Sequence, residues 1–355
     1  MPVGSGPDGA STGGPVEPGP TFSVIINNYN YRTFLTEAVE SVLRQTYKDY
    51  ELIIVDDGST DGSVAYVESL ATDLTLVRTD RRGQARACLE AFRHARGRYI
   101  YFLDADDIAF EGLLGAAAAA IADEPAKLQF RLVPVDADGR PFADPTPAIT
   151  ADHDAASQRA EIYRTGMPLA PPTSGNIFHR RVLEAVGDIA YETAIDGITL
   201  LAAPFLGAVV SIPDSLGSYR VHGMGHSAHA NPLDAGRIAR DRERFRGRIA
   251  HLNRILRTLG LSASPVREAE SFFYFWDCVT LEAAVTGRAI GPRAVLAFVA
   301  RLLAEHGLTR FTLRKLAWLI IAVAAPGPVK RRYVRARLNP WPRRRVGHPP
   351  AIESR

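Results

Sequence analysis

Between Arg98 and Asp107 the chain reads Arg-Tyr-Ile-Tyr-Phe-Leu-Asp-Ala-Asp-Asp. An aromatic and β-branched run, Tyr99 to Leu103, stops at three carboxylates within four residues. Such a run, short and preceded by Gly97, predicts a buried strand. The acidic residues fall where that strand ends, and open α/β sheets bind ligands just outside the carboxyl ends of their strands. Three carboxylates so close repel one another and raise at least one pKa. A hard divalent cation, Mg²⁺ or Mn²⁺, removes that cost and commonly recruits substrate phosphates with it. Asp104 and Asp106 therefore predict a metal–diphosphate clamp. Taken alone, Asp-x-Asp would better suit a solvated acidic turn, and it is the rest of the chain that reverses the balance.

Upstream, Phe22–Ile26 reads as a strand leading into the polar, aromatic turn Asn27–Tyr31, and Leu35, Ala38, Val39, Val42 and Leu43 recur at helical spacing. A second strand, Glu51–Val55, ends at Asp56-Asp57-Gly58-Ser59, where Gly58 and Ser59 supply turn chemistry. Leu74–Arg78 reads as a third strand and Gln84–Ala95 as a helix. Alternating strands and helices with apolar, parallel-type strands predict a doubly wound α/β sheet. Carboxylates close two of its strands, so both sets should open onto one edge of the sheet.

These segments resemble the nucleotide-sugar-dependent glycosyltransferases of the GT-A fold, specifically the large inverting family 2. The resemblance rests on Ser23–Asn30, Val39–Tyr47, Leu52–Ser63 and Gly83–Asp107, and extends more loosely to Ser227. It implies an α/β GT-A domain over residues 21–227, a helical C-terminal region over 228–328, and tails at 1–20 and 329–355. It implies transfer of a sugar, with inversion and metal assistance, from a nucleoside-diphosphate donor (UDP-type) to a saccharide, lipid-linked or small-molecule acceptor.

Roles carry over residue by residue. Tyr29 matches the aromatic that packs on the nucleotide base, and Asp57 the carboxylate that accepts from a uracil-type imide; Asp56 reads as a structural cap of its turn. Arg86, in Ala85-Arg86-Ala87 where the family usually shows Ala-Arg-Asn, matches a nucleotide or diphosphate contact. Asp106 matches the metal ligand and Asp104 the ribose or metal-water contact. Ser174, Gly175 and Asn176, in Pro172–Arg181, match a segment lining the acceptor and sugar pocket; an ordinary turn is the other reading of the same residues. Asp196 matches the general base, within Ile195-Asp196-Gly197 where many relatives show Glu-Asp. Without the resemblance, Asp196 would read as a helix N-cap. His222, in Tyr219-Arg220-Val221-His222, matches the histidine that completes the metal shell or meets the diphosphate. Residues 224–231 read either as a closing lid or as a solvated loop. His153 between Asp152 and Asp154 reads as a mobile polar loop.

Beyond residue 230 the pattern turns helical: Arg237–Leu259, Glu268–Thr286 with an aromatic face, Pro292–His306 and Thr312–Ala325. The formal net charge of +3 hides a strongly basic C-terminus, with eight Lys and Arg between Lys330 and Arg345. An apolar helix beside a polybasic, Trp341-containing stretch suits an anionic membrane surface. A docking helix followed by a solvated basic tail suits the same residues, and no specific nucleic-acid partner is expected. Residues 1–20, rich in Gly and Pro, predict a disordered lead and no signal peptide. A cytoplasmic protein, peripheral at the membrane face if the tail binds there, is the expectation. Cys88 and Cys278 offer neither a disulfide framework nor metal-ligand spacing. A nucleotidyltransferase would need a Gly-rich, basic loop after the first strand, which Asn27–Tyr31 does not supply. A catalytically inactive scaffold of the same fold would not need the intact set Asp57, Asp104, Asp106, Asp196 and His222.

Overall fold

A computed structural model describes residues 19–222, 235–261, 264–325, 327, 329 and 330. The expected lid, most of both expected tails and Trp341 lie outside them. Four parallel strands form half of an eight-stranded sheet: β1 (Phe22–Asn28), β2 (Tyr50–Asp56), β3 (Thr75–Arg78) and β4 (Tyr99–Asp104). Helices α1 (Arg32–Leu43), α2 (Ser63–Glu68) and α3 (Gln84–His94) make the crossovers. Further along come β5 (Ile108–Ala109), α4 (Leu113–Ala119), β6 (Lys127–Val135), α5 (Ala155–Thr165), β7 (Asn176–His179), α6 (Arg180–Val186), α7 (Asp196–Leu206) and β8 (Val209–Arg220). The strand order is β3-β2-β1-β4-β7-β6-β8-β5.

The sheet is mostly parallel, as the alternating pattern requires, but it changes direction at β7. That strand lies antiparallel to both β4 and β6, while β6 and β8 are parallel. The apolar run Ala208–Ile212 followed by Pro213 reads from sequence as a strand that stops at Ile212, and the structure corrects that. β8 runs on through Pro213 and Asp214 to Arg220, and its register against β6 jumps from Ile212 to Ser215. Proline has no N–H to give the ladder, so the strand bulges there and resumes.

Side chains alternate across the sheet. Ile25, Ile53, Val55, Ile100 and Phe102 face one core, and Val24, Ile26, Leu52, Ile54, Tyr101 and Leu103 face the other. The first of these cores does not stop at the α/β unit. It takes in Phe245, Ile249 and Leu252 of α8 (Ala235–Thr258) and Phe275 of α9 (Phe273–Thr286). A separate cluster around Phe298, Leu302 and Trp318 joins α9 to α10 (Pro292–His306) and α11 (Arg310–Ala324).

One buried charge stands out on β6. Lys127 is fully buried, with the Gln158 side-chain oxygen at 3.4 Å from its Nζ, and burial pulls its pKa down to about 7. The folded chain therefore binds this proton less tightly than the unfolded chain, whose lysine titrates near its ordinary value. Between those two pKa values the unfolded state holds the extra proton, so stability rises with pH from about 7 toward 10. Lys127→Met is expected to raise Tm at pH 6 and to flatten that rise, as read by thermal melts across pH; an unchanged pH dependence would show that Lys127 stays charged.

Candidate active site

Strand register assembles the site. Asn27 lies opposite Asp104, and Asn28 opposite Asp56, so the ends of β4 and β2 flank the end of β1. The two asparagines tie all three strand ends together, Asn27 donating to Asp104 Oδ1 (2.8 Å) and Asn28 to Asp56 Oδ2 (2.7 Å). Asp56 also accepts from the Ser59 N–H at 2.8 Å, the cap its position predicts. The loops after β1 and β2 are stitched further by Asn30 N–H to Ser59 Oγ and Thr60 N–H to Asn30 Oδ1.

Just past the end of β2, Asp57 is buried and holds the loop before α3. Its Oδ1 accepts from Thr79 (2.6 Å) and the Arg82 N–H (2.7 Å), and its Oδ2 from the Gly83 N–H (2.7 Å). Tyr29 carries the Arg81 guanidinium over its ring, 5.0 Å from the centroid. Arg86 stands exposed on the first turn of α3 and makes no bond to the described residues. Gln84, one residue before Ala85, donates to Asp104 Oδ1 at 2.7 Å.

The acidic turn is held from two directions. Ser174 Oγ accepts the Asp104 N–H (3.0 Å) and donates to Asp107 Oδ2 (2.6 Å). Arg220 gives its backbone N–H to Asp107 Oδ1 (2.8 Å), its Nε to the Asp106 carbonyl (2.9 Å) and a third bond to Glu37 (2.6 Å). His222 Nε2 lies 2.9 Å from Asp106 Oδ2, its ring packed against Phe34. Burial first, then the Asp106 charge, pushes Asp104 up to about 7 and raises Asp107 well above the carboxylate range.

The residues expected to line a sugar pocket lie inside the fold. Ser174, Gly175 and Asn176 are all buried. Ser174 is committed to the acidic turn. A Cβ on Gly175 would meet Pro171 at 2.4 Å, and the Asn176 amide donates to the carbonyls of Pro171 and Pro172. The segment lies beneath the site and positions it. Thr173, just before, is the residue that reaches a functional group, hydrogen-bonding Asp196.

The metal expectation rests on Asp106, His222 and Asp104. Among the described residues no three His, Cys, Asp or Glu side chains converge as a metal shell would; Asp106 and His222 meet, and Asp104 stands apart from that pair. The donor set nevertheless suits a hard cation held by few protein groups. A carboxylate oxygen and an imidazole nitrogen 2.9 Å apart match adjacent corners of an octahedron with bonds of about 2.1 Å. Asp104 Oδ2 accepts nothing from the described residues and remains available. Mg²⁺ typically completes such a shell with waters and substrate phosphates.

Asp196 opens α7 at the same site: its charge is felt by Asp104, and Asp104, Asp196 and Asp57 all act on the buried Cys88 thiol beneath them. Burial raises the Asp196 pKa, and the Arg248 guanidinium opposes the shift. Arg248 comes from α8 and forms a forked pair with the buried Glu192, Nη2 to Oε2 at 2.8 Å.

An uncharacterized glycosyltransferase of Nostoc sp. (strain PCC 7120) is 30% identical over 251 residues, 68% of this chain and 77% of its own length. The chain belongs to glycosyl transferase family 2. The profile of that family, described as "Glycosyl transferase family 2", matches residues 23–172. A teichuronic acid biosynthesis glycosyltransferase of Bacillus subtilis (strain 168), TuaG, itself named as putative, is 40% identical over 92 residues, 25% of this chain and 36% of that one. The fold matches the crystal structure of residues 1–349 of S. aureus TarS with UDP-GlcNAc, at TM-score 0.52 and 20% identity over 89% of this chain and 91% of that one.

In this family 2 chain Gly197, next to Asp196, is closely packed. A Cβ on Gly197 would lie 2.6 Å from Arg248 Nη2 and 2.7 Å from Glu192 Oε1. A larger residue there would push the ends of the two paired side chains aside. Sequence reasoning missed Arg248, Glu192, Thr173, Asn27 and Gln84 as parts of the site. Arg248 is one of many arginines in a charged amphipathic helix, and nothing in its spacing distinguishes it. Asn27, by contrast, was marked by position, at the end of β1 between two acidic strand ends.

Proposed function

We propose that the chain transfers a sugar from a uridine-type nucleoside-diphosphate donor to an acceptor hydroxyl, with inversion at the anomeric carbon and Asp196 as general base. What supports this reading is that one turn serves two acidic groups from separate elements: Ser174 accepts the N–H of Asp104 at the end of β4, and its neighbour Thr173 bonds Asp196 at the start of α7. One suits the donor and the other the acceptor.

The nucleotide lies across the ends of β1 and β2, its base against Tyr29 and its imide edge toward Asp57. Arg86, exposed and unengaged, faces the diphosphate. Asp106 with His222 would hold Mg²⁺ or Mn²⁺, and Asp104 would meet the ribose or the metal's water; a cation held there would supply charge neutralisation for the leaving diphosphate. The acceptor O–H gives its proton to Asp196, and its oxygen bonds to the anomeric carbon as the bond to the diphosphate oxygen breaks on the opposite face. Thr173 and Arg248 keep the Asp196 carboxylate oriented and ionised. The name of TuaG and the UDP-GlcNAc on the TarS fold are in line with a UDP-sugar donor and an envelope-polysaccharide acceptor.

A thermal-shift screen of nucleoside diphosphates and nucleotide sugars, each with and without Mn²⁺, tests the donor half. A ligand that binds only the folded state raises Tm by mass action. A Mn²⁺-dependent rise confined to one nucleotide, and lost in Asp106→Ala, is the expected outcome. No shift with any nucleotide overturns the donor assignment.

A further inference from the structure

Helices α10 and α11 leave an apolar face uncovered. On α10, Leu296, Ala300 and Leu303 follow one another at helical spacing, with Leu296 71% exposed. On α11, Leu313 (62% exposed), Ala317, Ile320 (66%) and Ala324 make a second stripe, joined by Val323. Leu308, 85% exposed, sits in the connection between the helices. The opposite faces are buried through Phe298, Leu302, Trp318 and Leu319, so these helices already have their core and the outer stripes are surplus to it. Monomeric soluble proteins seldom expose contiguous apolar surface of this kind without a partner.

Charge identifies the partner. From Gly307 to Ile352 the chain carries eleven Lys and Arg and no Asp or Glu. Arg310 and Arg314 lie exposed on α11 beside the apolar stripe. A protein partner or a second copy of this chain would have to supply the opposite charge over the whole stretch, and this face has none to offer itself. An anionic bilayer supplies it everywhere, together with an apolar interior for the leucines. α11 has 15 residues, which at a rise of about 1.5 Å per residue falls short of a hydrocarbon core of about 30 Å. No helix among the described residues is long and apolar enough to cross a membrane.

We infer that the outer face of α10 and α11 docks flat on an anionic lipid surface, with leucine and isoleucine side chains entering the acyl boundary and the flanking basic residues meeting lipid phosphates. Each acts by a separate physical route: apolar burial for the first, and counter-charge that falls off within a Debye length for the second.

Co-sedimentation of the full chain with vesicles tests it, comparing pure phosphatidylcholine with mixtures containing phosphatidylglycerol. The expected result is binding to the anionic vesicles alone, weakened by salt and reduced at least about tenfold in Leu313→Glu/Ile320→Glu, a change in the range of burying two aliphatic side chains. Both residues point to solvent, so the variant should keep its Tm and any nucleotide-dependent shift. That readout is independent of the donor assignment. Vesicle binding unaffected by the double substitution would show a purely electrostatic tail and overturn the docking face. So would the absence of binding to any vesicle, or a dimer in light scattering that the substitution dissolves.

Discussion

Asp196→Asn is expected to lower kcat by about 10²–10⁴-fold while leaving donor affinity nearly intact, the span that loss of a positioned general base produces. The amide keeps the shape of the carboxylate and its place at the start of α7 but cannot take the acceptor's proton. The same residue sets a pH signature. A base works only when deprotonated, and burial lifts the Asp196 pKa above its ordinary value. Activity should therefore fall as pH drops through a point above the usual carboxylate range. Steady-state transfer rates across pH, paired with donor titrations, measure both. Transfer by Asp196→Asn at the wild-type rate sinks the base assignment.

Removal of Arg248 should have two separable effects. Arg248 is the main influence holding the Asp196 pKa down against burial, so Arg248→Met should move the acid limb of kcat/KM to higher pH. It also strands Glu192, whose side chain is fully buried. Breaking a buried pair from one side costs about 3–5 kcal/mol, and Arg248 is itself partly exposed, which favours the lower end. Adding Glu192→Gln removes the stranded charge and should restore most of the lost Tm. The acid limb should stay above that of the wild type, because Arg248 outweighs Glu192 at Asp196. If Arg248→Met loses stability with its pH profile unmoved, the pair is a strut and has no part in proton transfer.

The first hundred residues were legible because each strand is a short apolar run closed by a turn, and register then follows from the parallel crossovers. Asp56, Asp57, Asp104 and Asp106 could be placed at one edge of the sheet from that alone. The direction change at β7 could not, since a four-residue apolar strand reads the same in either sense. β8 hid behind Pro213, which looks like a stop until a bulge absorbs it. Ser174 was named, but its part in holding the acidic turn was not: its sequence marks a turn beside the site, and only its hydrogen bonds show that it faces inward to Asp104 and Asp107. Arg248 was invisible because its partners, Glu192 and Asp196, lie more than fifty residues away, and no local pattern encodes that distance.

The core that α8 shares with the sheet, and the ion pair that α8 presses against Gly197, bear on how this enzyme could be re-engineered. In many chains a catalytic unit and the segment after it can be exchanged like cassettes. Here the helix that follows the sheet domain lends the Arg248 charge to Asp196 and shares its core with the sheet. Grafting a foreign C-terminal segment at residue 227 would carry off Arg248, and with it the partner of Glu192 and the charge beside Asp196, along with the surface it was meant to replace. Any chimera that keeps its chemistry should have its junction beyond α8, near the turn at Gly260.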